Sequence, residues 1–126
     1  MIAPTLLAVF VGAGCGACLR FALNESLNQR WAVMPLGTLA ANLIGGYLVG
    51  AAIAVLGAPG ELLPLWRALL ITGFLGGLTT FSAFSVEVVN AMARGDALTA
   101  LAIAALHLFG SLALTALGIA TVRVLN

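Results

Sequence analysis

The groups in this sequence whose types and spacing could do chemistry are an amide, two phenyl rings and a file of small polar side chains. Thr38 and Asn42 stand one helical turn apart, Phe81 and Phe84 are three apart, and His107, Ser111 and Thr115 fall at i, i+4 and i+8. If helical, each set shares one face. An amide and a hydroxyl can donate hydrogen bonds, and a phenyl ring carries a positive edge. Such a lining is polar but uncharged, and it suits a small anion better than a cation or a bulky substrate. Taken singly, each set also has a plainer reading: interhelical hydrogen bonds for Asn42 and the file on the last segment, aromatic packing for the phenyl pair. The sequence offers no carboxylate pair and no nucleophile beside a base, so no enzyme is expected.

A second feature lies between Thr72 and Ser85, where Gly73, Gly76, Gly77, Thr79, Thr80 and Ser82 concentrate weak helix formers. A helix broken near 76–80 would free carbonyl and N–H groups that cannot face lipid and must be buried or bind something. The alternative is a continuous, Gly-rich packing face whose hydroxyls bond back to the preceding turn. Arg20 and Glu87 are the charges expected to lie within the membrane profile, either in a functional role or snorkelling to the interface.

The elements that must position these residues follow from composition. Of 126 residues, 63% are hydrophobic and 7% charged, which leaves a water-soluble fold almost no polar coat. Crossing the hydrocarbon core of a bilayer takes about 20 mostly apolar residues in a helix. Four segments qualify, at about 2–23, 32–56, 66–92 and 97–125, and they are expected to form one transmembrane domain over residues 1–126. The first, whose leading residues Met1 to Thr5 carry no basic group, is read as a retained helix rather than a cleaved leader. The breaks are the polar run Asn24 to Arg30, the turn formers Gly57 to Glu61, and Arg94-Gly95-Asp96. Short loops imply antiparallel neighbours in a compact bundle.

Arg67 and Arg123 would lie on one side of the membrane, and Arg20, Arg30 and Arg94 on the other. So small a bias gives the insertion machinery little to act on, which predicts insertion in both orientations and an antiparallel dimer. Gly12 and Gly16, Gly46 and Gly50, and Gly73 and Gly77 have the small-x-x-x-small spacing of close helix contacts in lipid. Cys15 and Cys18 sit mid-span, without the partners that a redox or zinc site needs, and are read as packing residues. The basic charge is carried by Arg alone, with no basic stripe interleaved with aromatics, so nucleic-acid binding is not expected.

Three motifs carry a resemblance that covers nearly the whole chain: Gly12-Ala13-Gly14-Cys15-Gly16-Ala17-Cys18-Leu19-Arg20-Phe21, Gly37-Thr38-Leu39-Ala40-Ala41-Asn42-Leu43-Ile44-Gly45, and Gly73-Phe74-Leu75-Gly76-Gly77-Leu78-Thr79-Thr80-Phe81-Ser82-Ala83-Phe84. The chain resembles the Fluc family of small fluoride channels, also called CrcB proteins. That resemblance implies an all-α membrane protein of four transmembrane helices with a break in the third, assembled as an antiparallel homodimer. It implies that Asn42, Phe81, Phe84 and Ser111 line two fluoride pathways, each built from both subunits, with His107 and Thr115 on the same polar track. Thr38 would support Asn42, and Arg20 would be structural or vestibular. His107 departs from the pattern, since some members carry serine there. The resemblance further implies one sodium ion on the dimer axis, held by the backbone carbonyls of Gly76 and Thr79, and this favours the broken helix. The function so implied is passive, fluoride-selective export across the cell (inner) membrane, which lowers fluoride toxicity, with no nucleotide to drive it. A dual-topology multidrug transporter, the nearest rival, would need an acidic residue in its first helix, and none is present there. A purely structural subunit is the other alternative.

Overall fold

The computed structural model describes residues 2–30, 33–56 and 64–126, and every regular element among them is helical. Helix α1 (Ile2–Leu27) runs into a 3₁₀ turn at Asn28–Arg30, and α2 (Leu36–Leu56) follows. The third crossing is composite: α3 (Pro64–Arg67), a π-helical stretch (Ala68–Leu75), α4 (Gly76–Leu78) and α5 (Phe81–Ala93). Helix α6 (Ala97–Leu125) closes the chain. The four helical runs Ile2–Arg30, Leu36–Leu56, Pro64–Ala93 and Ala97–Leu125 are each long and apolar enough to span a bilayer, and the chain is a multi-pass membrane protein.

Two boundaries differ from those read from hydropathy. Helix α1 continues past Leu23 through Asn24 to Leu27, with the Ser26 hydroxyl bonding back to the Ala22 carbonyl at 2.8 Å. Polar residues there mark a change of environment and not the end of a helix, because Asn, Glu and Ser tolerate helical geometry. Helix α2 begins at Leu36 instead of near 32; Ala32 lies outside the described residues, and Val33 to Pro35 are not helical. Pro35 disfavours α geometry in the residue before it, and the Gly37 amide is taken up by Asn28 Oδ1 at 2.7 Å, which fastens the new helix to the end of α1. The break expected at Gly57 to Glu61 lies outside the described residues.

At the third turn, the Gly95 amide donates to Met92 O and the Asp96 amide to Ala91 O, with Gly95 at φ 76°. These are the paired bonds of a Schellman ending, which requires a residue free to adopt positive φ. Asp96 then caps α6 by accepting from the Thr99 amide at 3.0 Å.

Packing follows the glycines. A Cβ on Gly12 or Gly16 would collide with the main chain at Leu69, Phe74 or Leu78, and one on Gly77 with that of Ala13, so α1 lies backbone to backbone against the first half of the third crossing. Gly50 and Gly118 make the same kind of seam between α2 and α6, against the main chains of Thr115 and Tyr47. Ala41, Leu78 and Ala91 are fully buried, whereas Phe10, Leu98 and Leu101 face outward. Small residues inside and large apolar ones outside is the arrangement lipid favours, since association there depends on close packing and not on expelling water.

Candidate functional site

The site is organised by Thr79 and Thr80, which have extended backbones (φ −85°, ψ 152° and φ −151°, ψ 123°) between α4 and α5. Thr79 still donates to the Leu75 carbonyl, from its amide at 3.0 Å and its hydroxyl at 2.9 Å. The Thr80 amide, which a continuous helix would give to the Gly76 carbonyl, donates to Asn42 Oδ1 at 2.8 Å. The Ala83 amide, whose helical acceptor would be the Thr79 carbonyl, donates to Thr80 Oγ1 at 3.2 Å, so Thr80 is the N-cap of α5. The carbonyls of Gly76 and Thr79 thereby lose their helical donors.

Asn42 reaches this point from α2. Its Nδ2 donates to the Thr80 carbonyl at 2.9 Å and also lies 3.0 Å from His107 Nδ1. The His107 ring, on α6, packs against Phe84 with centroids 4.7 Å apart, and Phe84 meets Phe81 edge-on at 5.3 Å and 64°. These side chains line a cavity of about 690 Å³, together with Gly76, Thr79, Thr80, Ser111 and Thr115. Ser111 has no side-chain hydrogen bond to another described residue, whereas the Thr115 hydroxyl donates to the Gly46 carbonyl at 3.0 Å. His107 is 6% exposed and Phe81 78%, so one side of the cavity is deep within the chain while the outer ring stands clear of it.

Thr38 and Arg20 lie elsewhere. Thr38, 1% exposed, donates its hydroxyl to Glu87 Oε1 at 2.5 Å, which ties α2 to α5. Arg20 lines a separate cleft of about 660 Å³ with Asn24, Thr80, Ser82 and Glu87. Glu87 Oε2 and Asn24 Oδ1 are buried and have no hydrogen-bond partner among the described residues. Thr80 borders both spaces, so the strand-like pair Thr79–Thr80 forms part of the wall between them. Thr80 was not singled out from sequence, although a Thr ahead of a helical run is a recognisable cap signal.

A few convergent polar groups in an otherwise apolar cavity, set beside the extended peptides of Thr79 and Thr80, define a small helical membrane protein built to handle an ion. The particular family follows from comparison: residues 7–119 match the family described as CrcB-like protein, Camphor Resistance (CrcB), and the chain belongs to it. It is 56% identical, over 119 residues, to proteins named fluoride-specific ion channel FluC from Burkholderia cenocepacia and Burkholderia lata, which covers 94% of this chain and 93% of theirs. A protein of the same name from Burkholderia pseudomallei is 54% identical over 119 residues.

Proposed function

We propose that this chain conducts fluoride passively and selectively across the cell membrane, so that fluoride trapped inside the cell can leave. The observation that carries this reading is the meeting of Asn42, His107, Phe84, Phe81 and Ser111 on one cavity, in a chain 56% identical to proteins named for fluoride conduction. Hydroxyl and N–H donors replace part of an anion's lost hydration, and positive phenyl edges supply further weak contacts without a fixed charge that would hold the ion. Selectivity for the smallest halide would come from a narrow, donor-lined path completed by both subunits.

Phe81 is 78% exposed in the single chain, and one ring pair on an open cavity does not enclose a path. A second copy supplies the missing wall, and the near balance of Arg between the two membrane sides supports an antiparallel, dual-topology pair. The carbonyls of Gly76 and Thr79 suit a sodium ion, being hard oxygen donors released from helical bonding at the interruption of the third crossing. When bound, such an ion supplies fixed positive charge that raises the potential felt by a nearby anion. Thr38 and Arg20 act outside the main cavity, through Glu87 and through the adjoining cleft.

The test is efflux from liposomes holding the purified protein, read with a fluoride electrode against a chloride control. Rapid fluoride efflux with negligible chloride efflux is the expected result; no efflux from a folded dimer overturns the channel reading.

A further inference from the structure

The hydrogen bonds of Asn42 decide which nitrogen of His107 carries the proton. The Thr80 peptide presents an N–H to one end of the Asn42 amide at 2.8 Å and a carbonyl to the other at 2.9 Å. Flipping the amide would set donor against donor and acceptor against acceptor, so the Thr80 main chain fixes which end is Nδ2. One Nδ2 hydrogen goes to the Thr80 carbonyl, and the other points at His107 Nδ1, 3.0 Å away. Nδ1 must therefore accept, and in a neutral imidazole the proton then resides on Nε2.

Two consequences follow for the proposed path, on which this inference rests. Both donors of Asn42 are engaged within the protein, to Thr80 and to His107, so Asn42 has no N–H left for a passing anion. His107 lines the cavity, packs on Phe84 at 4.7 Å, and has no described hydrogen-bond partner at Nε2. We infer that Asn42 is a positioning residue that holds His107 in the Nε2–H tautomer, and that this N–H, one turn before Ser111 on the same face of α6, is the donor offered to a small anion in the cavity. An imidazole held this way is a directional donor without net charge, a role that serine could fill with its hydroxyl but phenylalanine could not.

His107 is the single histidine of the chain, so a ¹⁵N-histidine spectrum of the protein in lipid bilayers reports this ring alone. In the unmodified protein the expected spectrum shows Nε2 protonated and Nδ1 bare, with the Nε2 resonance shifting on titration with sodium fluoride and not with sodium chloride. In Asn42→Asp, whose carboxylate cannot donate to Nδ1, the expected change is the appearance of a protonated Nδ1. A protonated Nδ1 in the unmodified protein overturns the assignment, as does an Nε2 resonance indifferent to fluoride or a tautomer unaltered in Asn42→Asp. The titration needs no conduction. A fluoride-sensitive Nε2 in a protein that passes no fluoride would refute the channel reading and leave this inference standing.

Discussion

Asn42 closes a ring of two hydrogen bonds with the main chain of Thr80, donating to its carbonyl at 2.9 Å and accepting from its amide at 2.8 Å. A side chain from one helix thus takes the place of the neighbouring strand that extended backbone would need. Inside a membrane, where no water can satisfy them, these two peptide groups would otherwise be orphaned.

Asn42→Asp keeps an acceptor for the Thr80 amide but loses both donors, leaving the Thr80 carbonyl and His107 Nδ1 unpaired. Each buried acceptor so orphaned costs about 1–3 kcal/mol. Fluoride efflux is expected to fall more than about tenfold, a loss of about 1.4 kcal/mol or more in the barrier balance, while size-exclusion chromatography still shows a dimer. Efflux at the original rate would show that the ring is not needed for conduction.

Phe81→Ile removes the ring edge that meets Phe84 at 5.3 Å, yet Phe81 is mostly outside the chain's own packing. The expected outcome is loss of fluoride efflux with the chain still folded, since Phe81 adds little to the packing of its own chain. Thermal unfolding in detergent and the efflux assay together separate the two effects.

Gly16→Ala and Gly14→Ala form a matched pair. A methyl on Gly16 would be driven into the Phe74 carbonyl and lie 2.7 Å from the Leu78 amide nitrogen, whereas one on Gly14 has nothing within 4 Å. The first should destabilise by about 1–3 kcal/mol or more, since two backbones must separate. The second should be neutral, or stabilising by up to about 1 kcal/mol through helix propensity. Equal melting temperatures for the two variants would contradict the backbone contact between α1 and the third crossing.

Thr38→Val deletes the hydroxyl that donates to Glu87 Oε1, on a carboxyl group whose Oε2 already has no partner among the described residues. A loss of about 1–3 kcal/mol is expected for orphaning a buried acceptor. In the Glu87→Gln background the same Thr38→Val change should cost measurably less, because the acceptor left unpaired is then a neutral amide oxygen and not a carboxylate oxygen. A double-mutant cycle on unfolding midpoints measures the coupling, and a coupling of zero would count against the pair.

Hydrogen bonds from the Thr99 hydroxyl and amide hold the Asp96 carboxyl below the ordinary carboxylate range. A lowered folded-state pKa means that the stability it contributes is present above the unfolded value of about 3.9 and is lost as pH falls through the folded value. Unfolding midpoints of the intact protein should therefore decline on acidification below about pH 4, and Asp96→Asn, which keeps the cap without the charge, should flatten that part of the profile. An identical decline in both proteins would assign it to other carboxyls.

The crossings were legible in the sequence because lipid demands long apolar runs, and those runs are what the chain contains. The polar residues of the cavity were legible for the same reason: Asn42, His107 and Ser111 stand out against an apolar background, and helical spacing puts the last two on one face. Thr80 was not, since its role depends on α2 arriving opposite an extended peptide, a tertiary coincidence with no local signature. Nor was the end of α1 at Leu27, because hydropathy reports where a helix leaves lipid, and Asn24 to Leu27 remain helical beyond that point. The clustering of glycines from Gly73 to Gly77 signalled weak helical preference but not the form it takes, a wide-bore stretch over Ala68–Leu75.

That stretch works as a phase adjuster. Its wider turns carry bonds such as Gly76 N–H to Ile71 O, five residues back, so it accommodates more chain per revolution than the helices around it. Were the same residues wound instead as an ordinary helix, everything beyond them would be rotated relative to α1 by on the order of 100° for each residue that the wide turns absorb. Thr80 would swing away from Asn42, and Phe81 and Phe84 away from His107. A change of winding alone, in a segment whose last residue, Leu75, borders the cavity, would thus dismantle it with every side chain of its walls unchanged.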